Sequence, residues 1–248
     1  MSDYGKLVLT ELTQWQKKMK KQPSLVNRLS KSLQVRINRI IPEKVHRVIT
    51  TAIKHMTRTV FSGAAFTTSE PLEGVDFYTR ECEVKRKIKF YTNTSSAEGA
   101  VTGAGGILLG LADFPIWLTL KMKMLFEIAT LYGYSVNDYK ERIYILHIFQ
   151  LTFSSQAHRR KIYALLERWE EYKNELPKNM NEFDWRSFQQ EYRDYIDLAK
   201  LLQLIPGIGA VVGAYVNHRL TQKLGHNAMQ AYRMRIDSIV MRSISSGN

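Results

Sequence analysis

Apolar positions recur along this chain at spacings of three and four, and nowhere in strict alternation. From residue 3 to 21, Tyr4, Val8, Leu12, Trp15 and Met19 fall on one helical face. Lys17, Lys18, Lys20 and Lys21 close that helix, where cations suit the helix dipole, and Pro23 stops it. Ser24 is placed to cap a second helix striped by Leu25, Leu29, Leu33 and Ile37, with Arg28, Lys31, Arg36 and Arg39 on its other faces. Pro42 suits the first turn of a third, which carries Val45, Ile49, Ile53, Met56 and Val60. The run Thr67-Thr68-Ser69-Glu70-Pro71, extended to Gly74, predicts a loop and the best internal boundary. Helix returns over 76–97, with a short basic run at Lys85, Arg86, Lys87 and Lys89.

The next stretch, 98–133, organises the rest. Fourteen uncharged residues run from Gly99 to Ala112, and five of them are glycines. Glycine costs a helix interior about 1 kcal/mol against alanine, so this density needs a reason. Gly99/Gly103 and Gly106/Gly110 have the four-residue spacing that lets two helix backbones approach closely. Asp113 follows, then Pro115, which predicts the first turn of a new helix reaching Tyr132 and stopping at Gly133. Asp138 with Glu141 predicts a capping box for 139–153. A charged helix is expected over 155–176, ended by Pro177, and an aromatic one over 184–204. A second glycine segment, IPGIGAVVGAYVN, places Gly209 and Gly213 four apart, and a last helix is expected near 227–244, with His218 and His226 flanking a glycine-ended turn. The fold class is all-α: a multi-helix bundle of about eight to ten helices with two central glycine-rich helical hairpins packed on each other. Each hairpin has the alternative of dipping partway into a bilayer.

Charge changes the picture. The net +13 is divided as +10 over residues 1–60, −2 over 61–198 and +5 over 199–248. Between Leu12 and Pro42 there are eight basic residues and no acid. Basic ends around a neutral middle point to an anionic partner, membrane surface before nucleic acid, because no recognition-helix or aromatic-strand pattern accompanies the charge. We therefore assign anionic-surface binding to Lys17, Lys18, Lys20, Lys21, Arg28, Lys31, Arg36 and Arg39, and divide the chain into basic helices over 1–40 and a helical domain over 41–248. The N-terminus lacks a basic region followed by an apolar core, and the apolar windows are broken by Asp113 and Pro115 or by Pro206. The expected location is cytoplasmic, peripheral on the inner face of the membrane.

Chemistry is sparse. The single cysteine, Cys82, excludes a disulfide framework and reads as an ordinary partly buried thiol. His46 and His55, and His147 and His158, are too far apart in sequence to share a metal ion, and the glycines lack the lysine, hydroxyl and spacing of a nucleotide loop. No cofactor or metal is expected. Asp113 is the candidate functional acid: a carboxylate between apolar helices must be a cap, paired or neutralised. Its potential partners are Lys121, Lys123, Glu127 and Arg219. The competing function is a hydrolase-like enzyme acting on a lipid or peptide beside Asp113, with Tyr132, Tyr134 or His147 nearby.

Three blocks carry a resemblance: TGAGGILLGLADFPIWLTLKMKMLFEIATLYGY (102–134), ERIYILHIF (141–149), and IPGIGAVVGAYVNHRL followed by A-x-x-Y-R-x-R at 228–235. In their order and spacing they resemble the EcsC family over about residues 40–240. The resemblance implies a bacterial protein working with an ABC transporter, whose subunit is the implied protein partner, and a non-enzymatic accessory role in transport or secretion. It supplies no catalytic residues. Where the family shows an arginine early in the D-F-P helix, this chain has Lys121 or Lys123, which hold a planar anion less well.

Overall fold

A computed structural model describes residues 3–22, 43–62, 70–104, 106–184, 186–188, 190 and 210–245. Among them there are helices and no strand: α1 (Asp3–Lys20), α2 (Glu43–Ser62), α3 (Phe77–Ala104), α4 (Gly106–Leu131), α5 (Tyr139–Phe153), α6 (Gln156–Glu167), α7 (Trp169–Glu175), a 3₁₀ turn (Met180–Glu182) and α8 (Ala210–Ser245). The predicted helix over 24–41 and most of 184–204 lie outside the described residues.

The bundle is built around α5, in which every residue but Lys140 is buried. A helix apolar on most of its circumference is a core helix, and α2, α4, α6 and α8 pack around it. Asp138 caps it by accepting from Lys140 N at 2.9 Å. Glu141 does not complete the predicted box; its carboxylate turns inward to Tyr232 and Arg235. The amphipathic stripe of α1 is as expected, with Val8, Leu12, Trp15 and Met19 buried.

Three expected boundaries differ. Pro115 lies inside α4 rather than opening a helix. The helix runs through it because Phe114, Trp117 and Leu118 are all buried on either side; packing of these three side chains opposes a proline penalty of about 3 kcal/mol. Position 113 is therefore mid-helix, and Asp113 is not an N-cap. The helix expected over 155–176 breaks at Arg168, which lets Trp169 become buried and Glu170 face Arg235. The last helix begins near residue 210 and runs unbroken for 36 residues, so His218 and His226 flank no turn. Cys82 is exposed, not partly buried.

Gly133 ends α4 as predicted, with φ +88°. Its N–H bonds to Thr130 O and that of Tyr134 to Ala129 O, both at 3.0 Å, the paired closure of a Schellman motif. Arg80 completes the end by donating to Leu131 O at 2.5 Å and Leu72 O at 2.9 Å.

Helices α3 and α8 run antiparallel, with Glu81 beside Arg233 and Ser96 beside His218. They pack tightly at Gly225, where an added Cβ would stand 2.8 Å from two Ile88 carbons. Gly225→Ala is expected to destabilise by about 1–2 kcal/mol, overpacking exceeding the gain in helix propensity. Urea denaturation measures the loss, and in an Ile88→Ala background, which removes both of those carbons, Gly225→Ala should cost less. Of the glycines predicted to pack, Gly99 is buried in α3. The surroundings of Gly103, Gly106, Gly110 and Gly213, and all of Gly209, lie outside the described residues.

Candidate functional site

Two arginines of α8 enter the core, and each meets a buried glutamate. Arg233 donates from Nε to Glu81 Oε1 at 2.7 Å and from Nη2 to Glu81 Oε2, and its Nη1 reaches Glu11 of α1 at 2.7 Å. Tyr132 and Tyr4 each donate to Glu81 at 2.7 Å. Burial alone would raise the Glu81 pKa, but the bonds from Arg233 and Tyr132 outweigh it and hold the carboxyl below its ordinary range. One side chain thus ties α1, α3, α8 and the end of α4.

Arg235, two residues further along α8, does the same. It donates to Glu141 at 2.5 Å and Glu170 at 2.8 Å, and its guanidinium lies 3.9 Å from the Tyr134 ring centre and 4.9 Å from that of Tyr144. Tyr232 donates to Glu141 at 2.6 Å. Here burial prevails and raises the Glu141 carboxyl, against the pull of Arg235. Both arginines belong to the basic C-terminal portion, yet they carry buried, neutralised charge rather than surface charge.

A third polar cluster lies toward the opposite end of the bundle. Lys121 of α4 is fully buried. It donates to Ser95 of α3 at 2.6 Å and sits 4.6 Å from the Trp117 ring centre. Burial lowers its pKa to about 7, and Glu98 opposes that shift. Trp117 Nε1 donates to Asn217 of α8 at 2.7 Å, and Ser96 bonds His218 at 3.1 Å. Three helices therefore meet through polar side chains where the first glycine segment begins and the second ends.

The predicted companions of Asp113 are dispersed. Along α4, position 113 is about 27 Å from Leu131, and Tyr132 and Tyr134 beyond it serve Glu81 and Arg235. His147 is buried among Trp169, Tyr172 and Phe188, its pKa lowered to about 4 by burial despite the bond to Gln150. Glu127 accepts from Tyr91 at 2.7 Å and pairs with Lys87 at 2.8 Å, while Lys123 and Arg219 are exposed. The Asp113 side chain lies outside the described residues. Among the described residues, no group of histidine, cysteine and carboxylate side chains could hold a metal.

Of the surface cations, Lys17, Lys18, Lys20 and Lys21 are exposed. Lys20 pairs with Glu167 at 2.7 Å. Arg28, Lys31, Arg36 and Arg39 lie outside the described residues.

Residues 6–236 match the EcsC protein family, a span that takes in all three clusters and most of α1. The chain belongs to the EcsC family. It is 40% identical over 233 residues to "Protein EcsC" of Bacillus subtilis (strain 168), covering 94% of this chain and 96% of that one. It is 34% identical over 147 residues to "Uncharacterized protein YdbA" of the same organism, covering 58% of this chain and 53% of that protein. No solved structure matches it. The EcsC match begins at residue 6, so most of α1 and the basic stretch after it fall inside the family's span.

Proposed function

We infer that this EcsC-family chain is a peripheral membrane protein of the inner face, a non-enzymatic binding or accessory factor in membrane transport or secretion. The observation that carries the reading is the exposed lysine group at the end of α1, Lys17, Lys18 and Lys21, which leads into a sequence free of acids up to Pro42. Each cation held near an anionic leaflet contributes about 1 kcal/mol, so a handful suffices for reversible attachment. Consistent with a surface rather than a spanning mode, no described helix is long and apolar enough to cross a membrane.

Sedimentation with vesicles tests this. Binding should be strong to phosphatidylglycerol-containing vesicles, weak to pure phosphatidylcholine, and should fall as salt screens charges beyond about 8 Å. Exchanging Lys17, Lys18 and Lys21 for glutamine should reduce binding and flatten its salt dependence. Equal binding to both vesicle types, or none to either, overturns the reading.

A further inference from the structure

Three arginines among the described residues are buried almost completely: Arg233 at 2% exposure, Arg235 at 7% and Arg142 at 9%. The first two each meet two glutamates. Arg142, on the first turn of α5, pairs with no carboxylate among the described residues. Its Nε is buried without an acceptor, and its Nη2 has only the Met180 Sδ of the 3₁₀ turn at 3.8 Å, a weak acceptor. We propose that Arg142 anchors a site for an oxyanion, the carboxylate or phosphate of a small amphiphilic molecule, between the start of α5 and the 3₁₀ turn.

The electrostatics of the three arginines diverge as their contacts do. Burial would lower the pKa of Arg233 and Arg235, yet their glutamates raise both. For Arg142 burial prevails and the pKa falls, opposed only by Asp138. An arginine keeps its charge even so. A buried charge is costly unless an opposite charge and hydrogen bonds meet it. The carboxylates whose charges reach this end of α5 are Asp138 and Glu182. Both are exposed, and Asp138 is engaged in capping the helix through Lys140 N. The position adds to the deficit, because the N-terminal turn of a helix is its positive end, where a cation is disfavoured and an anion is held.

The surroundings select the kind of anion. A guanidinium offers parallel N–H groups in one plane, matched to a carboxylate or a phosphate. The walls beside it are apolar. Tyr139 packs its ring 6.2 Å from those of Phe61 and Phe183, which stack on each other at 5.3 Å, and Met180 and Phe183 are only partly buried. Such walls favour an oxyanion carried on an apolar body over a fully hydrated ion. The cover over Arg142 is the short turn Met180–Glu182 and not a helix, so a small molecule reaches the guanidinium without parting the bundle. The site uses none of the α1 lysines and stands whether or not those bind a membrane.

Thermal melts and titration calorimetry of the full chain test this with four probes: inorganic phosphate, octyl phosphate, octanoate and octanol. Octyl phosphate or octanoate should raise the melting temperature of the parent by binding the folded state, and octanol should not. Arg142→Met should bind the same amphiphile about tenfold more weakly or worse. Arg142→Lys should fall between, because an ammonium lacks the planar fork. Without any probe, Arg142→Met should melt at or above the parent's temperature, since it removes a buried charge with no opposite charge in contact. Inorganic phosphate separates the sources. Binding as tight as that of octyl phosphate assigns the site to a free oxyanion, and weaker binding assigns it to one on an apolar chain. The proposal is overturned if none of the three anions binds, if octanol binds as well as they do, or if Arg142→Met binds them unchanged. It is also overturned if, without a probe, Arg142→Met melts well below the parent while Arg142→Lys does not, which would show that a carboxylate of the chain itself holds Arg142.

Discussion

Arg233→Ala is expected to lose about 3–5 kcal/mol of folding stability, because it leaves Glu81 as a buried carboxylate without its bidentate partner. The loss is large against the 5–15 kcal/mol that holds a typical domain. The exposed half of the interaction is not the cause: Glu11 retains 41% exposure and contributes little, whereas the Arg233 and Glu81 side chains are almost wholly covered. Urea denaturation of three variants separates the terms. Arg233→Ala and Glu81→Gln should each be costly, and the double change Arg233→Met with Glu81→Leu should recover much of the loss, since desolvation consumes most of what a buried pair gains. An Arg233→Ala protein as stable as the parent would show that the pair does not hold α1, α3 and α8 together.

Lys121 should give this chain a stability that rises with pH above neutrality. In the folded chain its pKa is about 7, lowered from 10.5 by burial against the opposing charge of Glu98. Below pH 7 both states carry the proton and the folded state bears a buried ammonium. Between about 7 and 10 the folded chain has released that proton while the unfolded chain keeps it, so stability climbs by up to about 1.4 kcal/mol per pH unit. Lys121→Met should abolish this climb. Urea midpoints at pH 7, 8 and 9 measure it, and profiles that run parallel for parent and variant would refute the assignment.

Much of the fold was legible because amphipathic stripes repeat cleanly. Val8, Leu12, Trp15 and Met19 predict both α1 and its buried face, and Gly133 predicts the end of α4. What escaped was where charges sit within stripes. Phe77, Glu81, Val84, Ile88, Tyr91 and Ser95 follow one helical face of α3, and Glu81 occupies an apolar position in it. A glutamate in such a register, together with arginines in the last helix, is the signal that would have pointed to the ionic core. Periodicity names the position as buried but not the residue that neutralises it, 152 positions away. The boundaries failed for a related reason: Pro115 and Gly225 read locally as breaks, while long-range packing on Phe114, Trp117 and Ile88 keeps both helices whole. The basic flanks were overcounted at the C-terminal end, where Arg233 and Arg235 serve the interior.

The enclosure of α5 has a consequence for how this molecule comes apart. A helix with no outer wall cannot fray on its own; deuterium and proteases reach its backbone only when α2, α4, α6 or α8 lifts away. Its amides report the rarest opening of the whole chain, and a partner that reads this protein without unfolding it must read the outer helices.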